Sequence, residues 1–180
     1  NSIQTATRIK DNTLLSQAFR GLGEIYERDN RLDSALILYK LSLEYSEKAD
    51  YKKYRNLNYV RIGDIYLKQQ QTRLALENYL KALQSSKDQN NKSGVGSTYV
   101  VLARYFEHVG KYDSALHYAQ KGLGILQLVG RVPSLIEAYN IKVSIYKHMG
   151  KPDSALADLQ LATAAKDSLF SLEKIKQLQN

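Results

Sequence analysis

The stretch Tyr59–Ala82, YVRIGDIYLKQQQTRLALENYLKA, decides the fold. Tyr59, Ile62, Gly63 and Tyr66 share one face of a helix, and Ala75, Tyr79 and Ala82 share one face of a second, with a polar segment between them. Two such faces must pack against each other. Moving back forty residues gives Phe19, Leu22, Gly23, Tyr26, Ala35, Tyr39 and Ser42, and moving forward gives Tyr99, Leu102, Ala103, Phe106, Ala115, Ala119 and Gly122. A fourth copy reads Tyr139, Lys142, Val143, Tyr146, Ala155, Leu159 and Ala162. A period that never slips marks an array of similar helix pairs with its core distributed along the stack, and four units exceed the roughly three that such arrays need.

The 180 residues carry 26 Lys and Arg against 18 Asp and Glu, a net charge of +8. That excess raises nucleic acid or an anionic membrane as partners, so the location of the charge matters. The chain has no Cys, which excludes disulfides and thiolate chemistry. No apolar run reaches the ~18 residues of a membrane span, and no cationic segment followed by an apolar run opens the chain.

Residues 1–12 are expected to be the remnant of a preceding repeat helix, because Ile3 falls in register with Leu43, Leu83 and Leu123. Repeat 1 is expected over 13–50, repeat 2 over 51–90, repeat 3 over 91–130 and repeat 4 over 131–166. In the first unit a helix from about Thr13 to Arg28 has Asn12 or Thr13 to cap its start. It ends near Asn30, which tolerates a left-handed backbone; Gln70, Gly110 and Gly150 are its equivalents. A second helix starts around Leu32, with Asp33 complementing the dipole, a choice repeated at Asp113 and Asp153 and broken at Arg73. Pro133 and Pro152 sit near helix starts, where a missing N–H costs nothing.

Gly23, Gly63 and Ala103 on first helices, with Ala35, Ala75 and Ala115 on second helices, are expected to let each pair approach closely, and Tyr26, Tyr66, Phe106 and Tyr146 to fill the space beside that contact. The fourth unit has Val143 at the small position and Lys142 at an apolar one, so its first helix is expected to pack less tightly. Residues 167–180 place Leu169, Leu172, Ile175 and Leu178 at steps of three, a terminal capping helix or the start of a connecting helix that joins a partner subunit.

The large, apolar, small and aromatic residues of the first helix, followed by Ala, an aromatic and a small residue in the second, resemble the tetratricopeptide repeat over residues 13–166. Two departures stand out: no proline closes the repeat, and the period is forty where the common form has about thirty-four, which implies longer helices. The resemblance implies an all-α fold, an α-solenoid of antiparallel helix pairs without strands, wound into a right-handed superhelix whose concave groove binds a peptide or protein. A non-catalytic binding scaffold without metal or cofactor is the expected function, with a self-association or assembly scaffold as the alternative, through a homodimer formed by the C-terminal helix. The closing KDSLFSLEKIKQLQN is similar to the segment that follows the last repeat in bacterial membrane-anchored regulators. That likeness implies the sensory region of a larger signal-transduction or transcription-regulating protein, periplasmic if it holds and cytoplasmic otherwise.

In this family the first helices line the groove, and one stripe from each implies the binding residues. They are Gln17, Arg20, Glu24 and Glu27; Leu57, Val60, Asp64 and Leu67; Ser97, Val100, Arg104 and Glu107; and Glu137, Asn140, Ser144 and Lys147. Three of these are basic and five acidic, so the excess positive charge lies on the second helices and the ends, and direct nucleic-acid binding is not expected. The run Lys52, Lys53, Arg55 reads as a solvated helix start. The carboxylate clamp of chaperone-binding members is partly matched by Arg20 and unmatched at Glu24, Arg61, Ser97 and Val101, so the middle of the groove is expected to suit an apolar or mixed side chain.

Catalytic patterns are weak. His108, His117 and His148 lack metal-ligand spacing, and Gly21 with Gly23, Gly94 with Gly96, and Gly122 with Gly124 do not extend into a phosphate-binding loop. The tyrosines at Tyr59, Tyr66, Tyr99, Tyr139 and Tyr146 fall on repeat positions and are expected to be core.

Overall fold

A left-handed residue at every twentieth position punctuates the chain. Asn30, Asp50, Gln70, Asn90, Gly110, Gly130 and Gly150 have φ between +48° and +74°. Most of these turns share one bonding pattern, in which the next residue's N–H reaches back to the carbonyl five before it: Arg31 to Tyr26 at 2.8 Å, Gln71 to Tyr66 at 2.8 Å, Lys111 to Phe106 at 2.8 Å and Lys151 to Tyr146 at 2.9 Å. These bonds satisfy carbonyls that a helix end would leave open, and the left-handed residue turns the chain back. The sequence pattern marked Asn30, Gln70, Gly110 and Gly150. It missed Asp50, Asn90 and Gly130, left-handed residues that follow the second helices of the first three pairs.

The computed structural model describes residues 11–178, with side chains described to residue 171. Most of the expected N-terminal remnant, and the side chains of Leu172, Ile175 and Leu178, lie outside the described residues. The helices are α1 (Asn12–Arg28), α2 (Leu32–Lys48), α3 (Arg55–Lys68), α4 (Thr72–Asp88), α5 (Lys92–His108), α6 (Tyr112–Val129), α7 (Val132–His148) and α8 (Pro152–Leu178). Among the described residues there is no strand. Two units are distinguished, residues 1–89 and 90–180. In the first, α1 packs on α2, α2 on α3 and α3 on α4; in the second, α5 packs on α6, α6 on α7, α7 on α8, and α5 also meets α7.

Helix starts follow local capping. Asp11, rather than Asn12 or Thr13, caps α1, its Oδ1 accepting from the N–H groups of Thr13 at 2.9 Å and Leu14 at 3.1 Å. Asn91 does the same for α5 through Gly94 N–H at 2.9 Å. The equivalent position in the second repeat is Tyr51, which has no short acceptor, and α3 begins only at Arg55 without a side-chain cap. Arg55 is not part of a solvated start: its guanidinium donates to the Ser46 carbonyl at 2.8 Å and the Ser46 hydroxyl at 3.2 Å.

The close approach of paired helices also involves the second helix's tyrosines: Gly23 and Gly63 accommodate Tyr39 and Tyr79, both fully buried, as are Ala35 and Ala75. A Cβ on Gly23 would lie 2.9 Å from Tyr39 Cε1, and one on Gly63 2.5 Å from Tyr79 Cε1. The third repeat fills the same place with Ala103 and Ala119, both at 0% exposure.

In the fourth repeat Lys142, at a position that is apolar in the other repeats, has a partner: its Nζ meets Asp158 Oδ1 at 2.9 Å, with the two side chains 14% and 7% exposed. The equivalent positions in the first repeat are Leu22 and Leu38, so a hydrophobic pair has been replaced by an ion pair. The other Asp158 oxygen, Oδ2, is buried without a hydrogen-bond partner among the described residues. Residues 167–178 also form no separate helix: α8 runs without a break from Pro152 to Leu178, 27 residues in all.

Two outcomes follow from this packing. Gly63→Ala is expected to cost about 1–3 kcal/mol through the clash with Tyr79, yet in a Tyr79→Ala background the same change should be neutral or stabilising by up to about 1 kcal/mol from helix propensity. Urea denaturation of the four proteins measures this change of sign. Asp158→Ala is expected to destabilise by about 3–5 kcal/mol by stranding a buried ammonium, whereas Lys142→Leu with Asp158→Leu should be close to neutral or stabilising.

Candidate protein-binding face

In the first unit, side chains of α1 reach the next first helix and the chain leading into it. Gln17 Nε2 donates to Tyr51 Oη at 3.4 Å, the Arg20 guanidinium lies 4.5 Å from the centre of the Tyr54 ring, and Lys68 Nζ meets Glu27 at 3.5 Å. Arg20 also pairs with Glu24 along its own helix. Glu27 accepts from Tyr39 Oη at 2.8 Å and Asp64 from Tyr79 Oη at 2.9 Å, so both carboxylates serve the buried tyrosines of the helix interface. Leu57, Val60 and Leu67 are half-buried on α3.

In the second unit, α5 and α7 are linked by Ser97 to Ser134 at 3.1 Å, Arg104 to Glu137 at 3.2 Å and Glu107 to His148 at 3.9 Å. Val100 is fully buried, in contact with the backbone and side-chain space around Gly122, and so belongs to the core and not to the surface stripe. The remaining residues converge on an open cleft of about 420 Å³ lined by Arg104, Glu107, Pro133, Ile136, Glu137, Asn140, Ile141 and Ser144. Five of these are stripe residues implied by the sequence. Lys147, also exposed, lies one turn further along α7.

Among the described residues no cluster of His, Asp and Glu could hold a metal ion, and no helix is long and apolar enough to cross a membrane. His148 stacks on Tyr112 with ring centres 5.1 Å apart, and its Nδ1 lies 2.9 Å from the Ser144 carbonyl. The paired glycines lie inside helices, where Gly23, Gly96 and Gly122 meet neighbouring side chains or backbone. Sequence reasoning placed Tyr39 and Tyr79 on the packing face but did not assign their rings to Gly23 and Gly63. The signal available was their fixed offset of sixteen residues from Gly23 and Gly63.

Helix hairpins repeated in register and closed by the same turn define an all-α repeat protein. Tetratricopeptide-repeat family models match residues 54–127 and 136–168, together more than half of the chain, and the chain belongs to that family. Its solved structural neighbours include BtubC (BKLC) from P. vanneervenii, with TM-score 0.77 and 20% identity over 88% of this chain and 66% of that one. They also include MamA, with TM-score 0.64 and 16% identity over 94% of this chain and 89% of that one. At these identities the likeness is one of fold, and this chain spans just under two thirds of the BtubC chain. No curated protein sequence matches the chain. The family is generally a non-catalytic protein-interaction fold.

The buried tyrosine of the first hairpin carries a pH signature. Burial, and then the hydrogen bond and charge of Glu27, hold the Tyr39 hydroxyl far above its usual range. The unfolded chain loses this proton near pH 10 and the folded chain holds it, so the stabilisation is complete below about pH 10 and is lost as pH rises toward the folded value. Urea midpoints measured at pH 8 and pH 11 should therefore fall for the parent protein. Tyr39→Phe is expected to start lower, by about 1.5–3 kcal/mol for a hydrogen bond to a charged group, and to show a smaller drop between the two pH values.

Proposed function

We propose that the α5–α7 face binds an extended peptide segment of a partner protein, and that this chain acts as a non-catalytic recognition scaffold. The observation that carries the reading is the convergence of Arg104, Glu107, Glu137, Asn140 and Ser144 around an apolar floor of Pro133, Ile136 and Ile141. Such a cleft pairs a small apolar contact with convergent polar groups that fix orientation. The Asn140 amide makes no side-chain hydrogen bond among the described residues, and an amide can both donate to and accept from an extended backbone. Glu107 and Glu137 outnumber Arg104, which favours a ligand bearing an apolar side chain next to Lys or Arg.

The wider role we propose is that of the sensory region in a larger bacterial signalling or transcription-regulating protein. Its support is the likeness of residues 166–180 to the connecting segment of membrane-anchored regulators. In that setting, occupancy of the α7 face would be the sensed event.

A library of random twelve-residue peptides displayed on phage provides the probe. Selection on the 180-residue chain is expected to enrich peptides with an apolar residue beside Lys or Arg. Asn140→Ala with Glu137→Lys should weaken the enriched peptides at least tenfold by calorimetry while leaving helicity and melting unchanged. Enriched peptides that bind this variant as well as the parent would remove the face from consideration.

A further inference from the structure

We propose that the cleft at the open end of the second hairpin, between the start of α3 and the last turns of α4, binds an anionic group, a carboxylate or a phosphate, carried by a peptide segment of a partner. The cleft has a volume of about 440 Å³, lies within the first unit and shares no residue with the α5–α7 face.

Its opening has a cause in the sequence. The helices α1, α5 and α7 each have 17 residues, and α3 has 14. The turn that α3 lacks is the one that Asn91 caps for α5 and that Tyr51, without a short acceptor, leaves uncapped. In the third hairpin the start of α5 lies directly on the end of α6, since a Cβ on Gly96 would be 2.9 Å from Leu126 Cγ and 3.2 Å from Ile125 Cγ2. Asn56, Ser86 and Ser85 hold these three places in the second hairpin, and Ser85 lines the cleft. The second hairpin has neither the first turn nor the apolar side chains, and its end stays open and polar.

The lining holds more hydrogen-bond donors than acceptors. Lys52, Arg55 and Lys81 bring three cations against the single carboxylate of Asp88. The Arg55 side chain is 19% exposed and held in place, because Nε and Nη2 donate to the hydroxyl and carbonyl of Ser46; Nη1 has no hydrogen-bond partner among the described residues. Lys81 makes no ion pair among those residues, and the exposed Asp50 lies 3.4 Å from Lys52 and 3.9 Å from Arg55. The hydroxyl of half-buried Tyr59 has no hydrogen-bond partner among them either. Ser85 Oγ accepts from Gln89 Nε2 at 3.0 Å, which leaves its own O–H to donate. Asp88 already accepts from Gln84 Nε2 at 2.7 Å. What this set of donors lacks is a negatively charged group with several acceptor oxygens.

The run Lys52, Lys53, Arg55 therefore divides. Lys53 lies 5.3 Å from the centre of the Tyr54 ring, while its two cationic neighbours line the cleft. Three cations gathered in one concave place suit a single anionic group, whereas the phosphates of a nucleic acid need Lys and Arg spread along a surface. The Tyr59 ring offers an apolar wall for the stem that carries the anion.

The test is an NMR titration of the isotope-labelled 180-residue chain with three blocked amino acids. N-acetyl-phosphoserine amide presents a side-chain phosphate, N-acetyl-glutamate amide a side-chain carboxylate and N-acetyl-leucine a terminal carboxylate. At least one of them is expected to shift the amide signals of residues 52–59 and 81–89 to saturation, and the tightest names the source of the anion. Lys52→Glu with Lys81→Glu, both at exposed positions, should weaken that probe by about tenfold or more through reversal of two nearby charges, with unchanged helicity. Arg73→Glu, exposed on the same α4 and outside the cleft, should leave it nearly unchanged. No saturation with any of the three, shifts without a centre at this cleft, or equal binding by the double variant would each overturn the proposal.

Discussion

Everything in this molecule depends on the left-handed turn that recurs each twenty residues. An L-residue in that conformation gives up about 1–2 kcal/mol, and only glycine escapes it. The first four turns use Asn30, Asp50, Gln70 and Asn90, and the last three use Gly110, Gly130 and Gly150. The N–H reaching back five residues offsets that cost by closing a helix end, and the aromatic residue whose carbonyl accepts it, Tyr26, Tyr66, Phe106 or Tyr146, lies beside the turn. At the first turn Arg31 also lays its guanidinium 4.5 Å from the centre of the Tyr26 ring. Fixing the turn fixes which residues of the two helices meet.

That register is what pairs residues sixteen apart. Gly23 with Tyr39, Gly63 with Tyr79, Ala103 with Ala119, and Lys142 with Asp158 all sit across hairpins at this offset. The first three share one repeat position, whereas Lys142 and Asp158 occupy the neighbouring one, held by Leu22 and Leu38 in the first repeat. The tyrosine solution has an added consequence. Its ring fills the gap above glycine while its hydroxyl emerges beside Glu27 or Asp64, so a packing residue sets the position of a carboxylate on the surface stripe. The lysine–aspartate solution is the least stabilising in physical terms, because one carboxylate oxygen remains buried and unmatched.

The hairpins were legible in the sequence because glycine, alanine and aromatic positions report packing directly and repeat with a fixed period. What escaped reading depended on contacts between deviations. Lys142 alone looks like a defect; only with Asp158 at the corresponding offset does it become a pair. Tyr51 in a capping position gave no obvious warning that α3 would start late, since the loss is of a bond that a side chain fails to make. Val100 has the spacing of a surface stripe and the burial of a core residue, because Gly122 and Gly96 bring α5 and α6 close enough to enclose it. Spacing along one helix cannot register how near its neighbour comes.

The same distinction narrows where recognition can reside. Arg20, Glu24, Glu27, Asp64, Ser97 and Glu107 are all engaged by neighbouring residues, and changing them would alter the scaffold together with its surface. On α7, by contrast, Asn140 and Lys147 are exposed, and the isoleucines beneath them secure the helix. Ile141 and Ile145 are buried, so the helix is held from one side while its other side can vary. A repeat array can afford sequence freedom only where packing does not claim the side chain, and α7 is where the implied binding stripe and that freedom coincide.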